Sequence, residues 1–377
     1  MIEDVTACLA GIGTANPRHW ATQEQVVEFM KLVVIGSQPE RRQEPLIQLL
    51  DRIYSNSGIR ERYGVITDFI ALNPEEFTFF PQNWELEPFP TTERRMQVYE
   101  TESVELACQA ARKALQQAGV EPADVTHLIF VSCTGFISPG PDILFMQRLG
   151  LNSTVERTLI GFMGCCAGFN GIKAADDIIR THPEAVVVQI NLELCTIHFQ
   201  KKPVPDLYIA NCIFADGCSA VVYCAKQNCP NALAEVVCSH TTIAQDSLEQ
   251  MSWRIGDYGF EMRLRHSVPG YLQYLAPAFL CDLLQRAGVR QQEICGWGIH
   301  PGGRKILEAL QSALLLGDED LFSSYQVLAR YGNMSSATIF YVLQEELQRN
   351  AKDGVLVAMG FGPGLTVEGV VLRREKV

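Results

Sequence analysis

Three short motifs hold the side chains best suited to covalent chemistry. The first is Gly161-Phe162-Met163-Gly164-Cys165-Cys166-Ala167-Gly168. A strand-like run over residues 158–163 meets a helix-like run over 167–179, and Gly164 and Gly168 permit a tight turn with close backbone approach. A thiol at such a junction lies at a helix N-terminus, where the macrodipole favours the thiolate. The second is Trp297-Gly298-Ile299-His300-Pro301-Gly302-Gly303. Here a histidine closes an apolar strand, at the edge where α/β sites collect. The third, Tyr331-Gly332-Asn333-Met334-Ser335-Ser336-Ala337, opens a helix running to about residue 347, with Asn333 placed as an N-cap. Each motif has a plain structural alternative: a buried cysteine beside a turn, a structural histidine, a helix cap. Brought into one site, the thiol would be polarised by the imidazole. Imidazole and amide would then both donate to a thioester carbonyl.

The elements that must position these groups alternate between helix and strand. Residues 102–118 read as an amphipathic helix with Thr101 as N-cap and Gly119 as its stop. Residues 125–131, 185–190, 220–224, 355–359 and 367–372 are short apolar runs and read as buried strands. Such alternation argues for sheets covered by helices on both faces. The chain also repeats itself. Leu115-Gln116-Gln117-Ala118-Gly119-Val120 recurs as Leu284-Gln285-Arg286-Ala287-Gly288-Val289, an offset of 169 residues. The same offset carries the strand at 186–191 onto 355–360, and Cys165 onto Met334, beside Asn333. The chain therefore reads as two copies of one α/β unit, residues 1–228 and 229–377, divided at the polar stretch 226–231. A pseudo-twofold would bring Cys165 and Asn333 together at matching helix N-termini. Residues 66–100 read as an extended loop over the surface, and residues 239–270 as a second long segment; loops of this length are usually functional.

Composition sets outer bounds. With 47% hydrophobic and 20% charged residues, the chain suits a globular protein with a large core. A formal net charge of −12 argues against nucleic-acid binding. No apolar run approaches the roughly 18 residues of a membrane span, and the N-terminus lacks the basic region of a signal peptide. The expected location is cytoplasmic. None of the 13 cysteines is spaced C-x-x-C, and no Cys/His cluster reads as a metal site. Most read as small buried hydrophobes in a reducing compartment.

Together the motifs resemble those of the chalcone synthase-like, type III polyketide synthases. Gly164-Cys165 resembles that family's nucleophile motif, His300-Pro301-Gly302-Gly303 its histidine motif and Tyr331 to Ala337 its asparagine motif. Gly360-Phe361-Gly362-Pro363-Gly364-Leu365-Thr366-Val367-Glu368 resembles its C-terminal signature, and Phe214-Ala215-Asp216-Gly217 its gatekeeper segment. The resemblance runs from about Gly11 to Arg373 with the motifs in order. It implies the α/β thiolase-like fold, a duplicated αβαβα unit in five layers, and a homodimer. It implies an acyltransferase that uses acyl-CoA starter and malonyl-CoA without carrier protein, metal or redox cofactor. Cys165, directly after Gly164, would take the starter rather than Cys166. His300 and Asn333 would stabilise the enolate formed on decarboxylation, and Phe214 would wall the CoA tunnel from the cavity. The products implied are pyrones, resorcinols, phloroglucinols or chalcone-like rings. A β-ketoacyl synthase III shares Cys, His and Asn but lacks H-P-G-G and Y-G-N-M-S-S-A. A non-catalytic acyl-CoA-binding protein of the same fold would not need all three groups.

Departures from the plant pattern fall on the cavity and the CoA site. Met262 stands where a second gatekeeper phenylalanine is usual, with Phe260 two residues away. Cys195 and His198 replace two threonines, His198 either narrowing the cavity or bonding an intermediate. Cys133, Ser335 and Gly364 complete the expected substrate-binding set. Ser138 replaces a methionine that reaches across the plant dimer. Of the plant residues that hold CoA phosphates only Arg52 is matched; Leu49 and Asn56 replace lysines, and Arg304 and Lys305 are candidates to compensate. These changes suggest a microbial enzyme and an elongated pocket tolerant of aliphatic starters.

Overall fold

The computed structural model describes residues 5–350 and 352–374. The outermost residues of the two expected halves, 1–4 and 375–377, lie outside the described residues. The principal sheet is built from β1 (Ala7–Ala15), β2 (His127–Ser132), β3 (Glu156–Gly161), β4 (Val187–Leu194), β5 (Asp216–Ala225), β6 (Ala234–Ile243), β7 (Ile294–Ile299), β8 (Gly354–Gly362) and β9 (Thr366–Arg374). Their order is β7-β8-β9-β6-β1-β5-β4-β2-β3. β1 meets β6 only at Cys8↔Glu235 and Leu9↔Ala234, so two half-sheets are joined edge to edge. The halves repeat each other. β2 runs parallel to β4, which is antiparallel to β5; β7 runs parallel to β8, which is antiparallel to β9.

Seven helices frame these strands and the site: α1 (Glu40–Ser55), α2 (Thr92–Ala118), α3 (Ala167–Thr181), α4 (Pro205–Ile213), α5 (Val268–Ala287), α6 (Arg304–Leu314) and α7 (Thr338–Arg349). α2 covers the outer face of β1, β5 and β4, and α5 that of β6 and β9. α3 and α7 lie between the half-sheets, each touching strands of both. The layers thus run helix, sheet, helix, sheet, helix, as the duplication implies. The repeated Leu-Gln-x-Ala-Gly-Val is one helix stop used twice. Gly119 (φ 67°) and Gly288 (φ 63°) adopt the left-handed conformation, and their N–H groups reach the carbonyls of Leu115 and Leu284. α2 lies directly on β1 because Gly11 has no side chain. A Cβ there would sit 2.3 Å from the Ala114 carbonyl oxygen.

Two sequence expectations need correction. α2 starts at Thr92, capped by Thr91, and not at residue 102. Thr101 is an interior residue whose hydroxyl donates to the Gln97 carbonyl. Residues 66–91 are also not a surface loop. Phe69, Phe77, Phe80 and Phe89 turn inward around Phe29 and Phe199, and the buried Phe79 packs edge-on against Phe80. The buried Asp68 carboxylate holds this fold by accepting from the N–H groups of Thr78, Phe79 and Phe80. In the segment 239–270 an antiparallel hairpin, Met251–Gly256 paired with Gly259–Leu264, returns toward β2, where Trp253 Nε1 donates to the Cys133 carbonyl at 2.8 Å.

Candidate active site

Cys165 lies in a single 3-10 turn, Gly164–Cys166, immediately ahead of α3. Gly164 is left-handed (φ 74°), and a Cβ on it would lie 2.2 Å from Pro363. A Cβ on Gly362 would lie 2.3 Å from Cys166 Sγ. The Gly-Phe-Gly-Pro-Gly loop therefore presses on the nucleophile turn, and only glycine fits on either side. Cys133 supports this turn from behind, its sulfur accepting from Gly164 N at 3.0 Å. The two adjacent thiols point to different places. Cys166 Sγ donates to the Met163 carbonyl at 3.3 Å, whereas Cys165 faces a cavity shared with Phe214, Met262, His300 and Asn333.

His300 follows the last residue of β7, and its N–H donates to the Met359 carbonyl at 2.8 Å. Both ring nitrogens are buried without a hydrogen-bond partner. The expected imidazole–thiol hydrogen bond is therefore not formed. Burial holds the imidazole at about 3, so the ring is neutral. Burial likewise pushes the Cys165 thiol up to about 11, against the lowering effect of Ser335 and Asn333. Desolvation outweighs the helix N-terminus that the sequence pointed to, so the resting pair is thiol and neutral imidazole.

Asn333 is not the N-cap of α7, a position held by Ala337. It precedes the 3-10 turn Ser335–Ala337, and its Oδ1 accepts from Ser335 N at 2.8 Å. That bond orients the amide and leaves Nδ2 facing Cys165 Sγ at 3.8 Å. Its backbone is tied to the gatekeeper segment: Asn333 N donates to Ile213 O and Ala215 N to Asn333 O. Phe214 is thus fixed relative to the amide.

Phe214 and Met262 also border a second chamber, lined among others by Cys195, His198, Trp253 and Phe260. Met262 touches both spaces, whereas Phe260 belongs only to the second. His198 is a wall, not a hydrogen-bonding group for an intermediate. Its Nδ1 accepts from Phe260 N at 3.0 Å and its Nε2 donates to the Thr134 carbonyl at 2.8 Å. Its ring stacks on Phe260 at 4.1 Å. Burial keeps it neutral, at about 3.

The remaining expected residues are more dispersed. Ser335 is buried beside Asn333 with φ 47°. Gly364 (φ 68°) lies on the loop behind the nucleophile, its carbonyl accepting from Ser247 Oγ at 3.0 Å. Ser138 is exposed and lines neither chamber within this chain. Arg52, near the end of α1, and Arg304 and Lys305, at the start of α6, are all exposed. Arg304 lies against Gly58, just beyond α1, but pairs with Glu308 at 2.8 Å.

Sequence reasoning missed Glu193. It is fully buried, and its carboxylate accepts from Cys133 N (3.0 Å), Thr134 Oγ1 (2.9 Å) and Ser336 Oγ (2.5 Å). It thereby ties β2 and β4 to the turn that carries Ser335. Burial raises it to about 7 despite those three bonds. A signal was present: Gln189, Asn191 and Glu193 alternate along an otherwise apolar strand, and a buried polar stripe needs partners.

Comparison with known proteins gives a consistent result. Chalcone and stilbene synthases, N-terminal domain, match residues 2–227, and their C-terminal domain matches residues 235–375. "Type III polyketide synthase 21" of Oryza sativa subsp. japonica is 30% identical over 97% of this chain and 93% of its own length. "Alpha-pyrone synthesis polyketide synthase-like Pks18" of Mycobacterium tuberculosis is 28% identical over 97% of this chain and 90% of its own. Among solved structures, PKS-I from the brown alga Ectocarpus siliculosus superposes with a TM-score of 0.91 at 30% identity, covering 99% of each chain. The C-terminal type III polyketide synthase domain of Steely1 from Dictyostelium superposes at 0.86, with 25% identity over 98% of this chain and 99% of that one.

Proposed function

The chain belongs to the chalcone and stilbene synthase family and is a type III polyketide synthase of thiolase fold, and from that premise we propose that Cys165, His300 and Asn333 carry its chemistry. The observation that supports this most is their convergence on one buried cavity, with both imidazole nitrogens free of protein partners and the Asn333 amide nitrogen directed at Cys165 Sγ. Cys165 attacks the starter thioester. Its proton passes to His300 as the bond from sulfur to the acyl carbon forms, and His300 returns that proton to the CoA sulfur as the carbon–sulfur bond to CoA breaks, so that CoA leaves as the thiol. Burial disfavours either charge alone, so the transfer relies on mutual attraction between thiolate and imidazolium in a dry site. Malonyl-CoA then loses carbon dioxide. The negative charge that develops on its thioester oxygen is met by N–H groups of His300 and Asn333. The enolate carbon attacks the Cys165 acyl thioester, a carbon–carbon bond forms and the Cys165 sulfur is released. Repetition and ring closure complete the product.

Arg52, Arg304 and Lys305 would meet the CoA phosphates. Arg304 and Lys305 open the helix on which Ile306 lines the Cys165 cavity, and Arg304 lies against Gly58, just beyond the helix that carries Arg52. The assembly proposed is a homodimer. Its support is the unpaired edge strand β3 beside exposed Phe136, Leu159 and Met163, a combination that free proteins avoid. Among the described residues no helix is long and apolar enough to cross a membrane.

The test is release of free CoA from malonyl-CoA with a panel of acyl-CoA starters, read with mass analysis of products. Cys165→Ala should abolish condensation and leave some decarboxylation, while Cys166→Ala should retain condensation. Finding the acyl group on Cys166 by peptide mapping would overturn the assignment.

A further inference from the structure

Arg62 does not line the Cys165 cavity, yet it reaches both backbone segments that shape one side of it. It lies on the short strand Glu61–Tyr63 and is buried. Burying a guanidinium is costly unless its donors are used. Here they hold main chain. Arg62 Nη1 donates to the carbonyls of Asn211 and Phe214 at 2.6 and 2.5 Å, and the Tyr54 hydroxyl is hydrogen-bonded to the same side chain. Asn211 sits in the last turn of α4, where carbonyls lack helical partners and the macrodipole favours a cation. Phe214 is the residue at which α4 ends. One charged group therefore ties the end of α4 to the backbone of Phe214.

The same side chain touches the approach to Asn333. Gly332 is left-handed (φ 68°), and a Cβ on it would lie 3.2 Å from Arg62 Cγ and Cδ and 2.9 Å from the Ile213 carbonyl oxygen. The Arg62 stem is thus packed on the residue that precedes the amide. Asn333 N donates to Ile213 O at 2.8 Å and Ala215 N to Asn333 O at 2.9 Å, a single bridge between Phe214 and Asn333. The backbone around Arg62 is anchored on both sides of that bridge. Arg60 N donates at 2.8 Å to the carbonyl of Ala329, on the helix Phe322–Tyr331 that leads to Asn333. Val65 N donates at 2.8 Å to the carboxylate of Asp216, just past Phe214. Arg62 therefore projects from a fixed backbone onto both partners of the bridge.

We propose that Arg62 is a positioning residue: by clamping the Phe214 backbone and packing on Gly332 it sets where Asn333 Nδ2 stands against Cys165 Sγ, 3.8 Å away. That role rests on the synthase reading above and adds to it a residue that touches no reacting atom. The physical reason is tolerance. A donor that stabilises a developing oxyanion works only in place, and a shift of about 1 Å caused far from the chemistry can cost about 10²-fold in rate. One bridge leaves Phe214 and Asn333 free to tilt against each other, and the clamp removes that freedom.

The experiment measures carbon dioxide release from malonyl-CoA by the intact enzyme without starter. Arg62→Met keeps the stem and removes the donors. It should lower kcat by about 10- to 100-fold and leave KM for malonyl-CoA within about 3-fold. Arg62→Lys keeps a charged donor but not the planar fork, and should lose less, about 3- to 10-fold. The deciding readout is a double-mutant cycle with Asn333→Asp. If Arg62 acts through the amide, either Arg62 substitution added to Asn333→Asp lowers the residual rate by no more than about 2-fold. A general lesion of the fold would instead multiply the two losses, and that result overturns the proposal. So does a wild-type rate in either Arg62 variant. Should Arg62→Met not fold, Arg62→Lys carries the same cycle. Absence of decarboxylation and of starter extension in the wild type overturns the synthase reading instead.

Discussion

Replacing Asn333 by aspartate separates two jobs that alanine would remove together. Oδ1 accepts from Ser335 N at 2.8 Å and from Thr338 Oγ1 at 3.5 Å, and so shapes the turn. Nδ2 is the group aimed at Cys165 Sγ at 3.8 Å. Asp keeps an oxygen for the turn and puts an acceptor where the donor stood. The fold should therefore stay close to wild type, whereas Asn333→Ala should lose roughly 0.5–2 kcal/mol of stability as a lost cap does. If Nδ2 meets the developing enolate oxygen, its loss should cost about 10²–10³ in rate, or ~2.7–4 kcal/mol of barrier. The assay is carbon dioxide release from malonyl-CoA without starter, run beside starter loading on Cys165 by intact-mass analysis. Decarboxylation should fall by that factor in both variants, and loading should fall less. Wild-type decarboxylation in Asn333→Asp would refute the reasoning and leave Asn333 as a structural residue of its turn.

Four further outcomes follow from the geometry. His300→Ala should leave the pH midpoint for alkylation of Cys165 high, near the value of about 11 that burial imposes, while slowing starter loading, because the resting imidazole is neutral and lends the thiolate no charge; a midpoint that rises sharply on loss of the ring would refute the neutral pair. The folded-state pKa of Glu193, raised to about 7, means that its contribution to stability is full below the ordinary carboxylate range and is lost as pH rises through about 7, so Glu193→Gln should gain on wild type in thermal unfolding between about pH 4.5 and 7, and a pH-independent Tm difference would refute it. Arg52→Ala should raise KM several-fold for starter and malonyl-CoA alike and make it less salt-sensitive, with a thioester lacking the CoA phosphates unaffected as the control. Met262→Phe should penalise long acyl-CoA over short by about 1–3 kcal/mol, measured as relative kcat/KM along a starter series, and a parallel drop would show that Met262 does not border the acyl path.

The positions of Cys165, His300 and Asn333 were legible in the chain because each sits in a motif whose meaning is local. A turn glycine before a helix, a polar residue closing an apolar strand and a carboxamide ahead of a helix all follow from backbone needs within a few residues. The duplication was legible for the same reason: the helix stop at Gly119 is rebuilt at Gly288 from the same six-residue pattern. What the linear chain did not disclose depends on partners that arrive from far away. Thr101 has the chemistry of a cap, and only packing of Arg95 and Tyr99 into the core makes the helix begin at Thr92. Residues 66–91 have the composition of a surface loop, and only the Phe29 and Phe199 side chains turn them inward. His198 was open to a role in bonding intermediates until Thr134 and Phe260 took both its nitrogens. Glu193 finds Ser336 across 143 residues of chain, a distance over which no periodicity carries information. Cavity shape and charge state belong to the same class. The elevated Cys165 thiol and the neutral His300 ring are consequences of desolvation, and desolvation is a property of everything packed around a group rather than of the residues beside it in the chain.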